Sequence, residues 1–486
     1  MTAITRSRLK LLRPGTFFDG SNNDSGSWNK KRRVFEVVSS SNSQLKDAGG
    51  PSGHDAARIT TGVLSMKLGF ICPNAAGHLN PITTLARQLQ ARNHDVVLLY
   101  SSGAAGLPFV PSPDKDHINE TIAEVSKLQG EKAFKFGLSW LMTQTEMILK
   151  SLPAIVQANR VDALVIDTVQ FYAELGAMQL GMPYIHVSAA MHHDYTGYTP
   201  LSHYGWSHQT TPAALARNRE GVAKFVKLLE SANASVRAYA GSVRLKIDWE
   251  DPGSTLSPLA SITQVPRAFD FESSHWPSQF HHTGPFHDGN GREKVDFPWE
   301  RLTGEPLIYA SMGTVMNGRV DVFRAIVAAL TKQKDLQLVL SVGDQVDPQQ
   351  IGPIPKNAII VKRAPQLDLL KQTSVCITHA GLNTVLESLS QGVPQIAIPV
   401  ALDQPGVAAR IADKKTGVVS SLDKFTAEHL STVLNEVLND STYRDNARKL
   451  QKAIAKANGL SVAADLIEES LGVTKTGPFR LSRIRI

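Results

Sequence analysis

Apolar residues along this chain fall in short dense runs, separated by segments with a helical repeat. "KLGFICP" (Lys67 to Pro73) is one such run, and "ITTLARQLQARN" after it sets Ile82, Leu85, Ala86 and Leu89 at helical spacing. "DVVLLY" (Asp95 to Tyr100) returns as a buried strand, which predicts a strand, helix, strand unit of a parallel sheet. The pattern recurs in "VDALVID" (Val161 to Asp167), "FYAELGAMQLG" and "PYIHVSA" (Pro183 to Ala189), then in "PLIYAS", "VFRAIVAALTKQ", "LQLVLSVG", "AIIVKR", "SVCITHA", "TVLESLSQG" and "PQIAIPV". Two doubly wound α/β domains are expected, over 66–283 and 307–458. The segment 284–306 is dense in Gly, Pro and charge and reads as a linker, and 459–472 reads as a closing helix that packs back on the first domain. Ligands of such sheets bind at the C-terminal strand ends, so the two domains should face each other across a cleft.

Composition narrows the picture. A chain of 486 residues, 42% hydrophobic, can bury more than one core, and no apolar run reaches the roughly 18 to 20 residues of a membrane span. The net charge of +7 suggests nucleic acid until it is divided along the chain. Residues 1–65 hold ten Lys or Arg against five Asp or Glu, and 473–486 hold four basic groups and no acidic one. The rest is slightly acidic, and no nucleic-acid partner is expected. Cys72 and Cys376 are the only cysteines, both expected in buried strands, which suits a reducing, cytoplasmic setting. Residues 1–65, rich in Ser, Asn and Gly with "KKRR" at Lys30 to Arg33, read as a disordered leader or as an extension upstream of a natural start at Met66. The basic tail 473–486 reads as a frayed terminus or as a weak contact with an anionic membrane surface.

Candidate chemistry gathers at predicted sheet edges. After "SVCIT" (Ser374 to Thr378), His379, Ala380 and Gly381 form a turn, and Asn383 with Thr384 opens a helix that Gly392 and Pro394 end. The unpaired N–H groups and partial positive charge of a helix N-terminus suit a diphosphate. Glu387, one turn on, suits two ribose hydroxyls; the plainer alternative has Thr384 capping the helix and Glu387 in solvent. Asp403 and Gln404 follow the next strand with groups that hold sugar hydroxyls, unless Asp403 merely caps "GVAARIAD".

In "PNAAGHLNP", His78 occupies a turn before a helix that Asn80 caps and Pro81 opens. That position disfavours the imidazolium and leaves a neutral ring able to take a proton. Asp167, at a strand end on the same edge, can fix the tautomer of such a ring. Taken singly, each residue is as well explained as structural. An Asp-x-Asp at Asp114 to Asp116 lies among prolines, away from any strand end, and no metal site is expected. "FKFGLSWLMTQTEMILKSL" (Phe134 to Leu152), with Phe136, Trp140 and Met147, and "MHHDYTGY" (Met191 to Tyr198), with His192 and Tyr195, could line an apolar pocket or simply fill a core.

The segment Arg363 to Gly406, "RAPQLDLLKQTSVCITHAGLNTVLESLSQGVPQIAIPVALDQPG", closely resembles the donor signature of UDP-dependent glycosyltransferases of the GT-B type. With "YASMGT", "HTGP" and "GHLNP", the likeness spans most of Met66 to Gly472 and is strongest toward the bacterial branch acting on carotenoids and macrolides. The resemblance implies two Rossmann-like domains, an amino-terminal one for the acceptor and a carboxy-terminal one for the nucleotide sugar. It implies an inverting hexosyltransferase that needs no metal or cofactor beyond its co-substrate, UDP-glucose or a related nucleotide sugar. His78 is then the general base and Asp167 its partner. His379, Asn383 and Thr384 would hold the diphosphate; Glu387 the ribose; Gln366 the nucleoside; Ser311, Gly313, Thr314 and Gly381 line the phosphates; Asp403 and Gln404 take the sugar. Arg363 stands where plant members stack a Trp on uracil, and Leu382 where they have another Trp. The acceptor implied is a hydrophobic alcohol, a carotenoid such as zeaxanthin first, then a macrolide, sterol or flavonoid, handled by a monomer. An epimerase of the same fold and a non-catalytic sugar-nucleotide binder are the rival readings. A nicotinamide dehydrogenase is disfavoured because the first turn lacks G-x-G-x-x-G.

Overall fold

The computed structural model describes residues 65–473, apart from 102, 104, 105, 115–117, 291, 293 and 332. The leader up to residue 64, the tail from 474 and Asp116 of the Asp-x-Asp lie outside the described residues. Runs of Val, Ile and Leu form the strands, because such side chains fill both faces of a covered parallel sheet. The first lobe holds β1 (Lys67–Ile71), β2 (Asp95–Leu99), β3 (Phe109–Val110), β4 (Ala163–Asp167), β5 (Tyr184–Ser188), β6 (Ser261–Thr263) and β7 (Phe280–His282), in the order β3-β2-β1-β4-β5-β6-β7. The second holds β8 (Leu307–Ser311), β9 (Gln337–Ser341), β10 (Ala358–Val361), β11 (Thr373–Thr378), β12 (Gln395–Ala397) and β13 (Gly417–Val419), in the order β10-β9-β8-β11-β12-β13. Every pairing is parallel. These are the two doubly wound domains that the alternating pattern predicts.

Strand order locates the chemistry. It reverses between β1 and β4 in the first sheet and between β8 and β11 in the second, and such reversals open crevices at the C-terminal strand ends. The helix entered from β1 carries His78 in its first turn and β4 ends on Asp167; the turns leaving β8 and β11 carry Gly313 and His379.

Two helices run further than their sequence suggests. The helix after β1 spans Ala76–Gln90, with Ala75 at its N-cap and Pro81 in its interior. Asn80 does not cap it and Pro81 does not open it: the His78 and Leu79 amides already donate to the Ala75 carbonyl, at 2.8 and 2.9 Å. Gly130–Asn159 continues through Pro153, its buried Leu149, Leu152 and Val156 holding both sides of the proline. Cys72 lies one residue beyond β1; it and Cys376 are buried and free. The last helix, Gly459–Ser470, adds Ala463, Ala464 and Ile467 to the first-lobe core around Leu68, Phe70 and Leu85. Gly284 and Gly459 meet backbone to backbone there, and a Cβ on Gly459 would come 2.3 Å from the Gly284 Cα. No described helix is long and apolar enough to cross a membrane.

Beneath the long helix, His193 and His203 pack against Phe225, ring centroids 5.2 and 5.3 Å away. Burial lowers the pKa of His193 to about 3 and that of His203 to about 4. Unfolding returns both rings to ordinary values, so the unfolded chain binds more protons below about pH 6.5. Their contribution to stability is therefore complete above that pH and falls as the pH drops toward 4, by about 1.4 kcal/mol per unit for each ring. Urea denaturation between pH 6.5 and 4.5 should show this slope, and His203→Leu should remove one ring's share; an unchanged slope in that variant contradicts the assignment.

Candidate active site

His78 is the third residue of its helix, and its Nδ1 lies 2.7 Å from Asp167 Oδ2. Asp167, wholly buried at the end of β4, accepts a second hydrogen bond from the Val169 amide at 3.3 Å. A carboxylate can only accept, so Nδ1 carries the proton and Nε2 keeps a lone pair on a ring that remains 22% exposed. Burial acts to lower the His78 pKa, but the charge and hydrogen bond of Asp167, with Asp403 behind, outweigh it and raise the pKa above its ordinary value. The helix N-terminus does not decide this titration, contrary to the sequence-based expectation, because a full negative charge at 2.7 Å exceeds the partial charge of a helix end.

Asp403 comes from the other lobe. It precedes the helix Gln404–Asp413 but makes no side-chain cap; its Oδ2 accepts the Met191 amide of the first lobe at 2.9 Å. Burial raises its pKa. Gln404 turns its Oε1 onto the Val400 and Ala401 amides, at 2.8 and 3.0 Å, which leaves only its amide nitrogen to donate outward. Leu402 holds the turn at φ 60, a left-handed conformation that costs a branched side chain strain and aims Asp403 at the seam.

The β11 turn is shaped by room for a ring. Ala380, not a glycine, takes the left-handed conformation at φ 63, whereas Gly381 is an ordinary N-cap at φ -63. Gly381 is needed for space, since a Cβ there would sit 2.4 Å from the His379 ring, and one on Gly313 2.5 Å from it. Burial holds the His379 pKa down at about 4, so the ring is a neutral donor or acceptor at ordinary pH. Ser311 is buried and its hydroxyl accepts the Gly313 amide at 3.2 Å; Thr314 is exposed. The helix Leu382–Ser390 begins its own bonding with the Val385 amide on the Gly381 carbonyl. The amides of Leu382, Asn383 and Thr384 thus precede any intrahelical acceptor, the arrangement that suits an anion.

Several predicted donor residues are engaged differently from expectation. Thr384 does not cap this helix, and its hydroxyl lies 3.3 Å from Gln366 Nε2. Gln366 faces inward, accepting the Tyr309 hydroxyl at 2.9 Å and donating to Glu387 at 2.6 Å, so its side chain has little left for a nucleoside. Glu387 is buried rather than solvated, held also by linker Arg292. Arg363 is exposed and paired with Asp344 at 2.7 Å. Asn383 reaches across the seam to the Gly77 carbonyl at 2.6 Å.

Of the five predicted pocket residues, Trp140 lines a hollow at the His78 edge. That hollow, about 10 Å³ and so room for roughly one water, is bounded by Asn74, Tyr100, Trp140, Gln144 and Gln170, with the buried indole N–H of Trp140 unpaired. Phe136 packs on the second-lobe core, Met147 inside the core under β2 and β4, and Tyr195 near-parallel to Phe225 at 6.2 Å. Their apolar character is spent on packing. His192 belongs to a buried charge cluster: its Nδ1 lies 3.1 Å from Thr263 Oγ1, its Nε2 3.0 Å from Asp270, which also holds His282 at 2.7 Å and Arg410 at 2.7 Å. Two imidazoles and a carboxylate in such proximity have the donor set of a metal site, but the Arg410 guanidinium already supplies the cation. Arg410 is in the second lobe and Asp270 in the first, and sequence reading missed both because a lone Arg in "GVAARIAD" looks like a solvated helix face.

The carboxy-terminal residues 301–457 match the family model "UDP-glucoronosyl and UDP-glucosyl transferase". Zeaxanthin glucosyltransferase of Pantoea ananas is 27% identical over 414 residues, covering 82% of this chain and 94% of that protein. Demethyllactenocin mycarosyltransferase of Streptomyces fradiae is 28% identical over 415 residues, covering 82% and 85%. Among solved structures, the glycotransferase of kitacinnamycin superposes with a TM-score of 0.65 at 23% identity, over 84% of this chain and 99% of that one, which establishes the shared GT-B fold.

The Arg410 and Asp270 pair ties the two lobes. Replacing Arg410 with Met strands a buried carboxylate and should cost about 3–5 kcal/mol in urea unfolding at pH 7; a loss below about 1 kcal/mol would mean the pair is solvated.

Proposed function

From the premise that this chain belongs to the UDP-glycosyltransferase family, we propose that it is an inverting enzyme moving glucose from UDP-glucose to a hydroxyl of a hydrophobic small molecule. The observation that carries the reading is the His78 and Asp167 pair, 2.7 Å apart, opposite Asp403 of the donor-side lobe. His78 Nε2 takes the acceptor's hydroxyl proton while the oxygen attacks the anomeric carbon. The bond from that carbon to the diphosphate breaks on the opposite face, so an α-linked donor gives a β-glucoside. Asp167 stabilises the imidazolium that forms.

The departing UDP gathers negative charge, to which we assign the Leu382 to Thr384 amides and the neutral His379 ring. This set of donors needs no metal. Asp403 and the Gln404 amide nitrogen are assigned to the sugar hydroxyls, and Glu387 to the ribose. The name of one relative, a mycarosyltransferase, leaves the hexose itself to experiment.

For the acceptor we favour a carotenol, in line with the zeaxanthin relative. Trp140, whose buried indole N–H has no partner at the His78 edge, is assigned to an oxygen of the acceptor. Macrolide, sterol and flavonoid alcohols are the other members of this acceptor class. Mass spectrometry of products from UDP-glucose with a mixed panel of these alcohols tests the reading. A new glycoside with free UDP supports it, whereas epimerised donor, or tight UDP-glucose binding with no product, rejects it.

His78→Ala should lower turnover about 100- to 10,000-fold with UDP affinity retained. Because the His78 pKa is raised, the ring is protonated and inactive as a base at low pH, and kcat/KM should fall on the acid side of a limb lying above about pH 6.5. Normal turnover in the variant, or a limb below pH 6, removes His78 from this role.

A further inference from the structure

Glu387 is a carboxylate with almost no access to water: it is 2% exposed within the helix Leu382–Ser390, and a buried charge without partners is costly. Its two oxygens are held differently. Gln366 Nε2 donates to Oε2 at 2.6 Å, and the far end of that carboxamide accepts the Tyr309 hydroxyl at 2.9 Å. The Arg292 guanidinium donates chiefly to Oε1, its other terminal nitrogen standing 3.5 Å from Oε2. Arg292 comes from the segment between the lobes, and that segment is tied on both sides. His287 Nε2 lies 3.0 Å from Ser390 Oγ at the end of the same helix, and the Asn290 carbonyl accepts Arg87 of the first lobe at 2.9 Å. The Arg292 side chain is 28% exposed, so the guanidinium can turn out to water, where the carboxylate cannot follow.

We propose that Arg292 is a specificity-determining residue: it competes with the nucleotide's ribose for Glu387 Oε1, and so sets how much the second ribose hydroxyl contributes to donor binding. This rests on the functional reading above, in which Glu387 takes the ribose. A nucleotide with both hydroxyls displaces the guanidinium and bonds both oxygens. One with a single hydroxyl bonds Oε2 and leaves Arg292 in place. Without the arginine, a missing hydroxyl would strand half of a buried carboxylate and be penalised heavily. With it that half is already satisfied, and 2′-deoxynucleoside diphosphate donors should be accepted nearly as well as ribonucleoside ones.

The test is calorimetric binding of UDP, 2′-deoxy-UDP and inorganic diphosphate to the wild type and to Arg292→Gln. Glutamine keeps one neutral donor for the carboxylate, so Glu387 is not left bare. The wild type should bind the two nucleotides within about tenfold of each other. Arg292→Gln should tighten UDP about tenfold, the worth of one charge-assisted hydrogen bond, and leave 2′-deoxy-UDP and diphosphate within about twofold. A cation that faces the phosphates behaves in the opposite way: its loss weakens all three ligands, and that outcome overturns the proposal. Equal tightening of both nucleotides, or an unchanged ratio between them, overturns it as well. If neither nucleotide binds the wild type or the variant, the functional reading fails and takes the proposal with it, whereas UDP binding with an unchanged ratio rejects the proposal alone. Arg292→Lys keeps the charge but not the forked contact, so its ratio should fall between those of the other two proteins, and it carries the test if Arg292→Gln does not fold.

Discussion

Two crevices, each at the point where a parallel sheet reverses its strand order, face one another, and closing them takes backbone polar groups of both lobes out of water. Each such group must find a partner or cost roughly 1–3 kcal/mol. Much of the seam meets this demand with backbone. The Gly406 amide donates to the Ser202 carbonyl at 2.7 Å, and a Cβ on Gly406 would come 2.4 Å from that same oxygen. The Gly130 amide donates to the Val400 carbonyl at 3.0 Å, and one side chain joins them, the Asp403 carboxylate accepting the Met191 amide at 2.9 Å. A seam set by main-chain contacts has little slack, which is why the turns feeding it hold Ala380 and Leu402 in left-handed conformations.

The same closure sorts the histidines into different roles. His379 and His78 are both partly buried, yet the pKa of the first is held down at about 4 and that of the second is raised above its ordinary value. The difference is the company: His379 lies between Gly313 and Gly381 with no carboxylate in contact, whereas His78 has Asp167 at 2.7 Å. Separation of titrations by environment assigns roles to like residues. His379 can donate to a leaving anion without itself titrating, and His78 can hold a proton taken from a hydroxyl. His192 sits between these extremes: burial lowers its pKa while Asp270 opposes, so the guanidinium of Arg410 carries the positive charge in that cluster.

The fold was legible because buried parallel strands announce themselves as apolar runs of fixed length, and strand-end positions follow from them. His78, Asp167 and His379 could be placed for the same reason, each standing within a few residues of a run's end. What escaped was set by distance in sequence. Glu387 read as a ribose carboxylate or a solvated residue; its pairing with Arg292, 95 residues away, leaves no local trace. Gln366 read as a nucleoside contact, but its link to Tyr309 and Glu387 depends on how one short helix packs beneath another. The pocket residues failed for a plainer reason, since an apolar stripe such as Phe136, Met147 and Tyr195 has the same composition whether it lines a cavity or fills a core. Pro81 is a local signal read wrongly: a proline after Gly-His-Leu-Asn suggests a helix start, whereas here it lies inside the helix, where it leaves a carbonyl without its helical donor.

The seam holds contacts that compete with the donor the chain is proposed to bind. Glu387 is satisfied by Arg292 and by Gln366, and Asp403 by the Met191 amide. On the functional reading, a nucleotide sugar must replace each of these with its own hydroxyls, so donor affinity measures an exchange of hydrogen bonds rather than their creation. An exchange of equal number is nearly neutral in energy, and selectivity then comes from geometry: a sugar whose hydroxyls miss Asp403 would leave that carboxylate buried and unpaired. The carboxylate is costly in such a state because burial already raises its pKa. On the same functional reading, discrimination among hexoses rests on the turn at Leu402 that holds Asp403 at the seam.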